Sequence, residues 1–179
     1  MKSGHVEVIV GSMFSGKTEE LIRRVRRALL ANQMVQSFKP STDVRYDKER
    51  IVSHRESYIE AIPVENSQHL AHSIDVSARV IALDEAQFFD EGIVRVVNEL
   101  ADRGARVIVA GLDQDFQGRP FGPMPALMAI AEEVTKVRAI CSVCGQEASR
   151  TYRLSGSKSQ VQVGGAETYE ARCRACHKG

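Results

Sequence analysis

The sequence predicts an α/β fold with a mostly parallel, buried sheet, followed by a small unit of different character. Three observations carry this. Short β-branched runs alternate with stretches of helical period. The glycine-rich spacing G-x-x-x-x-G-K-T joins the first such run to the first such stretch. After Ile140 cysteine, glycine and serine rise and long periodic elements vanish. The expected division is an α/β nucleotide-binding domain over 1–139 and a small domain over 140–179.

Val6 to Val10 reads as a strand ending at Gly11. From Lys17 the period becomes 3.6, with Leu21, Ile22, Val25, Ala28 and Leu29 on an apolar face and Arg23, Arg24, Arg26 and Arg27 on a basic one. The basic face is expected to be solvated. "MVQSFKP" reads as a second strand, "STDVRYDKERIVSHRES" as a polar loop and "EAIPVE" as a short strand. "NSQHLAHSIDV" reads as a helix capped by Asn66 or Ser67. "RVIALDEAQ" is apolar through its first half, a strand buried on both faces. A helix over Asp90 to Gly104, a strand over Ala105 to Asp113 and a proline-opened helix over "PMPALMAIAEE" complete the series.

Bulk properties exclude several classes. The chain has 179 residues, 43% hydrophobic and 26% charged, the balance of a soluble globular protein. The formal net charge is +1, so no global field argues for nucleic acid or a membrane surface. No run approaches the ~20 apolar residues of a membrane-spanning helix. The apolar run at the N-terminus is too short for a signal peptide and is broken by Glu7, which points to the cytoplasm.

The glycine-rich turn lets backbone N–H groups of Gly11, Ser12, Met13, Phe14, Ser15 and Gly16 face phosphate oxygens at a helix N-terminus. Lys17 then reaches the β- and γ-phosphates, and Thr18 offers a hydroxyl to Mg²⁺. Asp84 leaves a buried strand at the end where α/β ligands bind, which suits the second holder of the metal. Adjacent strand residues point to opposite faces, so Glu85 is expected to serve a different task, taking the proton of an attacking hydroxyl. Water and an alcohol satisfy that chemistry equally, and "DEAQ" also looks like a helicase box.

The four cysteines form two C-x-x-C pairs, Cys141 with Cys144 and Cys173 with Cys176. This spacing suits a closed tetrahedral zinc site of four thiolates, with His177 as an alternative to Cys176. Such a site ties together the ends of the segment Gly145 to Arg172. The tethered loop is open to two uses, folding over a small substrate or serving as a nucleic-acid-binding ribbon.

"GSMFSGKT", "FKPSTDVRY", "DEAQFF", "AGLDQDFQGRPFG", the two C-x-x-C pairs and "GGAETYE" occur in this order from about Glu7 to His177. Together they resemble the type II thymidine kinase family. The resemblance implies a RecA-like P-loop core, a zinc-bearing lasso domain and a homotetramer. It implies ATP and thymidine as substrates, with deoxyuridine accepted, and transfer of the γ-phosphate to the nucleoside 5′-hydroxyl. It further implies feedback inhibition by dTTP, with no nucleic-acid or membrane partner.

By position, Gly11 to Thr18 with Asp84, Glu85, Ala86 and Gln87 match the ATP site, and Thr18 and Asp84 the Mg²⁺ site. Glu85 matches the general base, and Arg45, beside Asp43, matches an arginine that steadies the transferring phosphate. Met13, Phe88, Leu112, Phe116, Phe121, Thr151 and Tyr169 match residues enclosing thymine and sugar. The backbone from Val161 through Gln162, Val163 and Gly164 to Gly165 matches the lasso strand that bonds the base. "LSGSKSQ" is shorter than in some bacterial members, and with three residues after Cys176 no C-terminal regulatory tail is expected. The rival readings are a P-loop ATPase with a nucleic-acid-binding zinc ribbon and a nucleotide switch with no phosphate acceptor.

Overall fold

The computed structural model describes residues 4–42, 50–52, 58–154, 159–162 and 164–178. Strand β1 (His5–Val10) leads through the glycine-rich turn into helix α1 (Lys17–Leu30). Next come β2 (Val35–Pro40), β3 (Arg50–Val52), β4 (Tyr58–Glu60), β5 (Ile62–Val64) and α2 (Ser67–Ser73). Strand β6 (Val80–Leu83), a single 3-10 turn (Ala86–Phe88), α3 (Gly92–Asp102), β7 (Arg106–Gly111), α4 (Met124–Ile130) and β8 (Glu133–Lys136) complete the core. The C-terminal part holds β9 (Ala139–Ile140), β10 (Glu147–Ala148), β11 (Arg150–Arg153), β12 (Tyr169–Arg172) and α5 (Arg174–His177).

Six strands form one sheet in the order β5-β2-β6-β7-β1-β8, and every pairing in it is parallel. Strand alternation divides the apolar residues between two layers. Val6, Val8, Val10, Ile81, Leu83, Val107 and Val109 pack with α3 and α4 on one side. Ile9, Val80, Ala82, Ile108 and Ala110 pack with Leu21, Ile22, Val25 and Ala28 of α1 on the other. Because the strands are parallel, the loops after β1, β6 and β7 leave the same edge. That shared edge is where open α/β sheets bind ligands.

Several expectations shift. Glu133 does not continue α4, which stops at Ile130; it opens β8, a strand that satisfies the edge of β1. Arg50–Val52 is a strand, not loop, because Ile51 and Ile59 are buried against the α1 layer. Leu29 is 51% exposed and lies off the packed face.

Arg24 does not join the solvated basic face. It is buried and donates to Glu7 at 2.6 Å and Glu20 at 2.8 Å. Glu7 also accepts from Arg106 at 2.6 Å and 3.0 Å. Burial alone would raise the Glu7 carboxyl, but the bonds from Arg106 and Arg24 outweigh it and hold it at about 2. The network locks β1, α1 and β7 together beneath the glycine-rich turn.

Candidate active site

The turn between β1 and α1 folds as its glycines require. Gly16 takes a left-handed conformation, φ 86°, that a side chain would strain. A Cβ at Gly11 would stand 2.5 Å from the Val137 carbonyl oxygen. Lys17 Nζ donates to the Ser12 carbonyl at 2.8 Å, and Ser15 Oγ donates to the same oxygen at 2.6 Å. The loop is thereby wrapped around its own backbone.

Asp84 is 5% exposed, and its Oδ2 accepts from Thr18 Oγ1 at 3.2 Å. The two oxygens expected to hold Mg²⁺ are thus adjacent. A hydroxyl and a carboxylate, with room for phosphate and water, form a hard donor set that fits this ion. Glu85 requires a correction. Strand β6 ends at Leu83, so Asp84 and Glu85 are not alternating strand residues. Glu85 has φ 51°, a left-handed backbone in a non-glycine residue.

A cleft of about 620 Å³ brings Met13, Phe14, Gly16, Lys17, Thr18, Asp84, Glu85 and Leu112 together with Glu19, Lys39 and Arg50. Gly11, Ser12 and Ser15 belong to the wrapped loop. Ala86 and Gln87 are buried behind the cleft wall. Asp43 and Arg45 lie outside the described residues. Lys39 and Arg50 escaped sequence reasoning; Lys39 Nζ donates to the Arg50 carbonyl at 2.8 Å. The signal for Lys39 was its place in a strand that ends at the same sheet edge.

A second cleft, of about 370 Å³, is lined by Met13, Phe88, Leu112, Phe116, Phe121, Thr151, Val161, Gln162 and Tyr169. The resemblance placed seven of these around thymine and sugar, and Val161 and Gln162 in the lasso strand that bonds the base. Phe88 meets Phe121 edge-on, with ring centroids 5.9 Å apart. Thr151 Oγ1 accepts from the buried Met13 N–H at 3.0 Å, fastening β11 to the phosphate loop. Gly164 and Gly165 do not line this cleft: the Gly165 carbonyl accepts from Thr168 and Tyr169, closing a turn. Val163 lies outside the described residues.

Gln114, Asp115, Arg153 and Gln160 also line the second cleft and were not anticipated. The Arg153 guanidinium lies 3.7 Å from the Phe116 ring centroid. It also donates to the Tyr169 hydroxyl at 2.9 Å and the Ser159 carbonyl at 2.6 Å. Tyr169 in turn donates to the Gln162 carbonyl at 2.6 Å.

The Sγ atoms of Cys141, Cys144, Cys173 and Cys176 all lie within 4.8 Å of one another. Those of Cys144 and Cys173 are 3.7 Å apart. Sulfurs at about 2.3 Å from a tetrahedral zinc ion stand about 3.8 Å apart, so this cluster could hold such an ion. Hydrogen bonding from the Cys173 backbone, aided by Cys144 and Val143, outweighs burial and brings the Cys141 thiol down to about 6. Hydrogen bonds with the Cys173 and Cys144 thiols push Cys176 up to about 12, so the thiolate is favoured at Cys141 and not at Cys176. His177 is not a member of the cluster. Its Nε2 instead lies 2.9 Å from the Phe116 carbonyl and 3.2 Å from that of Thr151, both in the second cleft's wall.

The fold and site define a P-loop nucleotide-binding α/β protein whose second cleft is walled by a segment bearing a four-cysteine cluster. The profile of the thymidine kinase family matches residues 4–177. The chain belongs to that family. A protein of Bdellovibrio bacteriovorus named thymidine kinase is 53% identical over 171 residues, covering 96% of this chain and 84% of that protein. Among solved structures, the Pif1 helicase of Candida albicans aligns with TM-score 0.49 at 16% identity, over 75% of this chain and 36% of the helicase chain. Among the described residues no helix is long and apolar enough to cross a membrane.

Proposed function

We propose that this chain is a thymidine kinase acting in pyrimidine salvage. It transfers the γ-phosphate of ATP to the 5′-hydroxyl of thymidine, and also of deoxyuridine, giving the nucleoside monophosphate. One observation carries the reading: the phosphate cleft and the aromatic cleft share Met13 and Leu112 as a common wall. A nucleoside in the second would direct its 5′ end into the first.

The glycine-rich loop and Lys17 hold the triphosphate, and Arg45 steadies the transferring group. Thr18 and Asp84 would hold Mg²⁺, which when bound neutralises charge on the phosphates. Glu85 accepts the 5′-hydroxyl proton as that oxygen bonds to the γ-phosphorus. The bond from phosphorus to the bridging oxygen breaks, and its electron pair leaves with ADP. Phe88, Phe116 and Phe121 enclose the base, Tyr169 braces it, and the backbone at Val161 and Gln162 bonds its polar edge. The cysteine cluster holds structural zinc and makes 140–179 a lasso domain on the 1–139 core. The assembly is a cytoplasmic homotetramer inhibited by dTTP.

The test is ADP production from MgATP with direct detection of thymidine monophosphate. The arms are thymidine, deoxycytidine, single-stranded DNA and no acceptor. Monophosphate formed with thymidine alone is the expected result. ADP release that ignores thymidine and rises with DNA would replace this reading with that of a nucleic-acid-stimulated ATPase.

A further inference from the structure

Gln87 is 3% exposed, one turn beyond β6, and its amide is held at both ends. Its Oε1 accepts the Leu112 N–H at 3.0 Å, and its Nε2 donates to Glu85 Oε2 at 2.5 Å. A main-chain N–H can only donate and an ionised carboxylate can only accept, so both neighbours demand the same amide orientation. The slot is shaped by two glycines. A Cβ on Gly111 would lie 2.9 Å from Gln87 Oε1, and one on Gly122 would lie 2.4 Å from the Gln87 carbonyl oxygen. Glycine at both positions avoids these clashes, and at Gly111 it also clears Met124 Sδ, 2.7 Å from the same point. Leu112, at the far end of the amide, is part of the wall common to both clefts.

We propose that Gln87 is a positioning residue for phosphoryl transfer: its amide fixes the Glu85 carboxylate relative to the wall where the nucleoside lies. This rests on the reading of Glu85 as the general base.

The test compares Gln87→Glu and Gln87→Met with the unmodified chain, using MgATP and thymidine. Gln87→Glu keeps an acceptor for Leu112 N–H but sets a second carboxylate against Glu85. Its kcat is expected to fall at least about tenfold, with thymidine KM within about twofold. Gln87→Met is expected to lose kcat as well, with a higher thymidine KM because Leu112 N–H loses its partner. In a Glu85→Gln background, Gln87→Glu should lower kcat no further. Thermal unfolding and MgATP affinity report folding, and Gln87→Met decides if Gln87→Glu does not fold. Unchanged kcat in a folded variant, or a further loss of kcat from Gln87→Glu in the Glu85→Gln background, overturns the proposal. A fully active Glu85→Gln variant instead overturns the assignment of the base.

Discussion

The two clefts of this molecule share a wall and are built by different means. The phosphate cleft stands on the C-terminal edge of one parallel sheet: Lys17 and Thr18 follow β1, Asp84 and Glu85 follow β6, and Lys39 lies near the end of β2. Its geometry is set by strands packed on both faces. The aromatic cleft has no such platform. Its outer wall comes from β11, β12 and residues 160–162, in a segment with few buried apolar residues. Contacts hold that wall: Thr151 to Met13, Arg153 to Phe116 and Tyr169, and His177 to Phe116, beside a cysteine cluster that could hold a metal ion. A site held by a core resists local lesions, whereas a site held by staples fails one staple at a time. Loss of phosphate chemistry and loss of nucleoside binding should therefore be separable.

The largest expected effect lies in the first cleft. Glu85→Gln should lower kcat by about 10²–10⁴-fold while MgATP affinity changes by no more than about twofold, read by steady-state kinetics and nucleotide titration. Unchanged turnover would remove Glu85 as the base. Next is the staple of the second cleft. Cys173→Ser, or chelation of the metal, should raise thymidine KM more than about tenfold and leave MgATP affinity within about threefold. Hydrogen exchange should show β11 and β12 losing protection while β1 and β7 keep theirs. Full thymidine affinity in metal-free protein would sink the stapling role.

Legibility in the sequence followed the same division. The glycine-rich turn, Asp84 and the cysteine pairs were readable because local spacing dictates their geometry. β8 was missed because an edge strand with three exposed residues carries no apolar signature. Arg24 was misread because its partners Glu7 and Arg106 lie on other elements, and helical period reveals only which face a residue shares. Arg153 resembles a surface residue in a polar hairpin. Yet period-2 alternation sets it on the face of Thr151, and β11 pairs it directly with Tyr169, so assigning those two left a signal for the third.

The buried ion network tests the core alone. The ordinary Glu7 value is 4.5 and the folded value about 2. Its stabilisation is therefore full above about pH 4.5, declines as pH falls toward 2 and is absent below, a difference on the order of 3 kcal/mol. Glu7→Gln should lower stability at neutral pH by about 3 kcal/mol, because Arg106 and Arg24 lose a buried carboxylate, and should lower Tm by about 10 °C. It should also flatten the acid decline in denaturant titrations between pH 5 and 2. At temperatures where the variant is folded, thymidine KM should be unchanged. A raised KM would mean that core and staples are coupled.

The smallest effect sharpens the comparison most. Arg153 presents a flat cation to Phe116 and a hydrogen-bond donor to Tyr169, binding two walls of the aromatic cleft to each other and to residue 159. Arg153→Met keeps the length and the apolar stem but removes both contacts. Thymidine KM should rise about five- to twentyfold, the equivalent of about 1–2 kcal/mol. Arg153→Lys should recover only part of this, since an ammonium cannot stack flat and fork to a hydroxyl and a carbonyl together. In both variants kcat at saturating thymidine and MgATP affinity should match the parent, because the contacts described for Arg153, with Phe116, Tyr169, Ser159 and Gln160, lie at the aromatic cleft. If MgATP affinity fell in step with thymidine affinity, Arg153 would be supporting the shared wall at Met13 and Leu112, and the two clefts would be one mechanical unit.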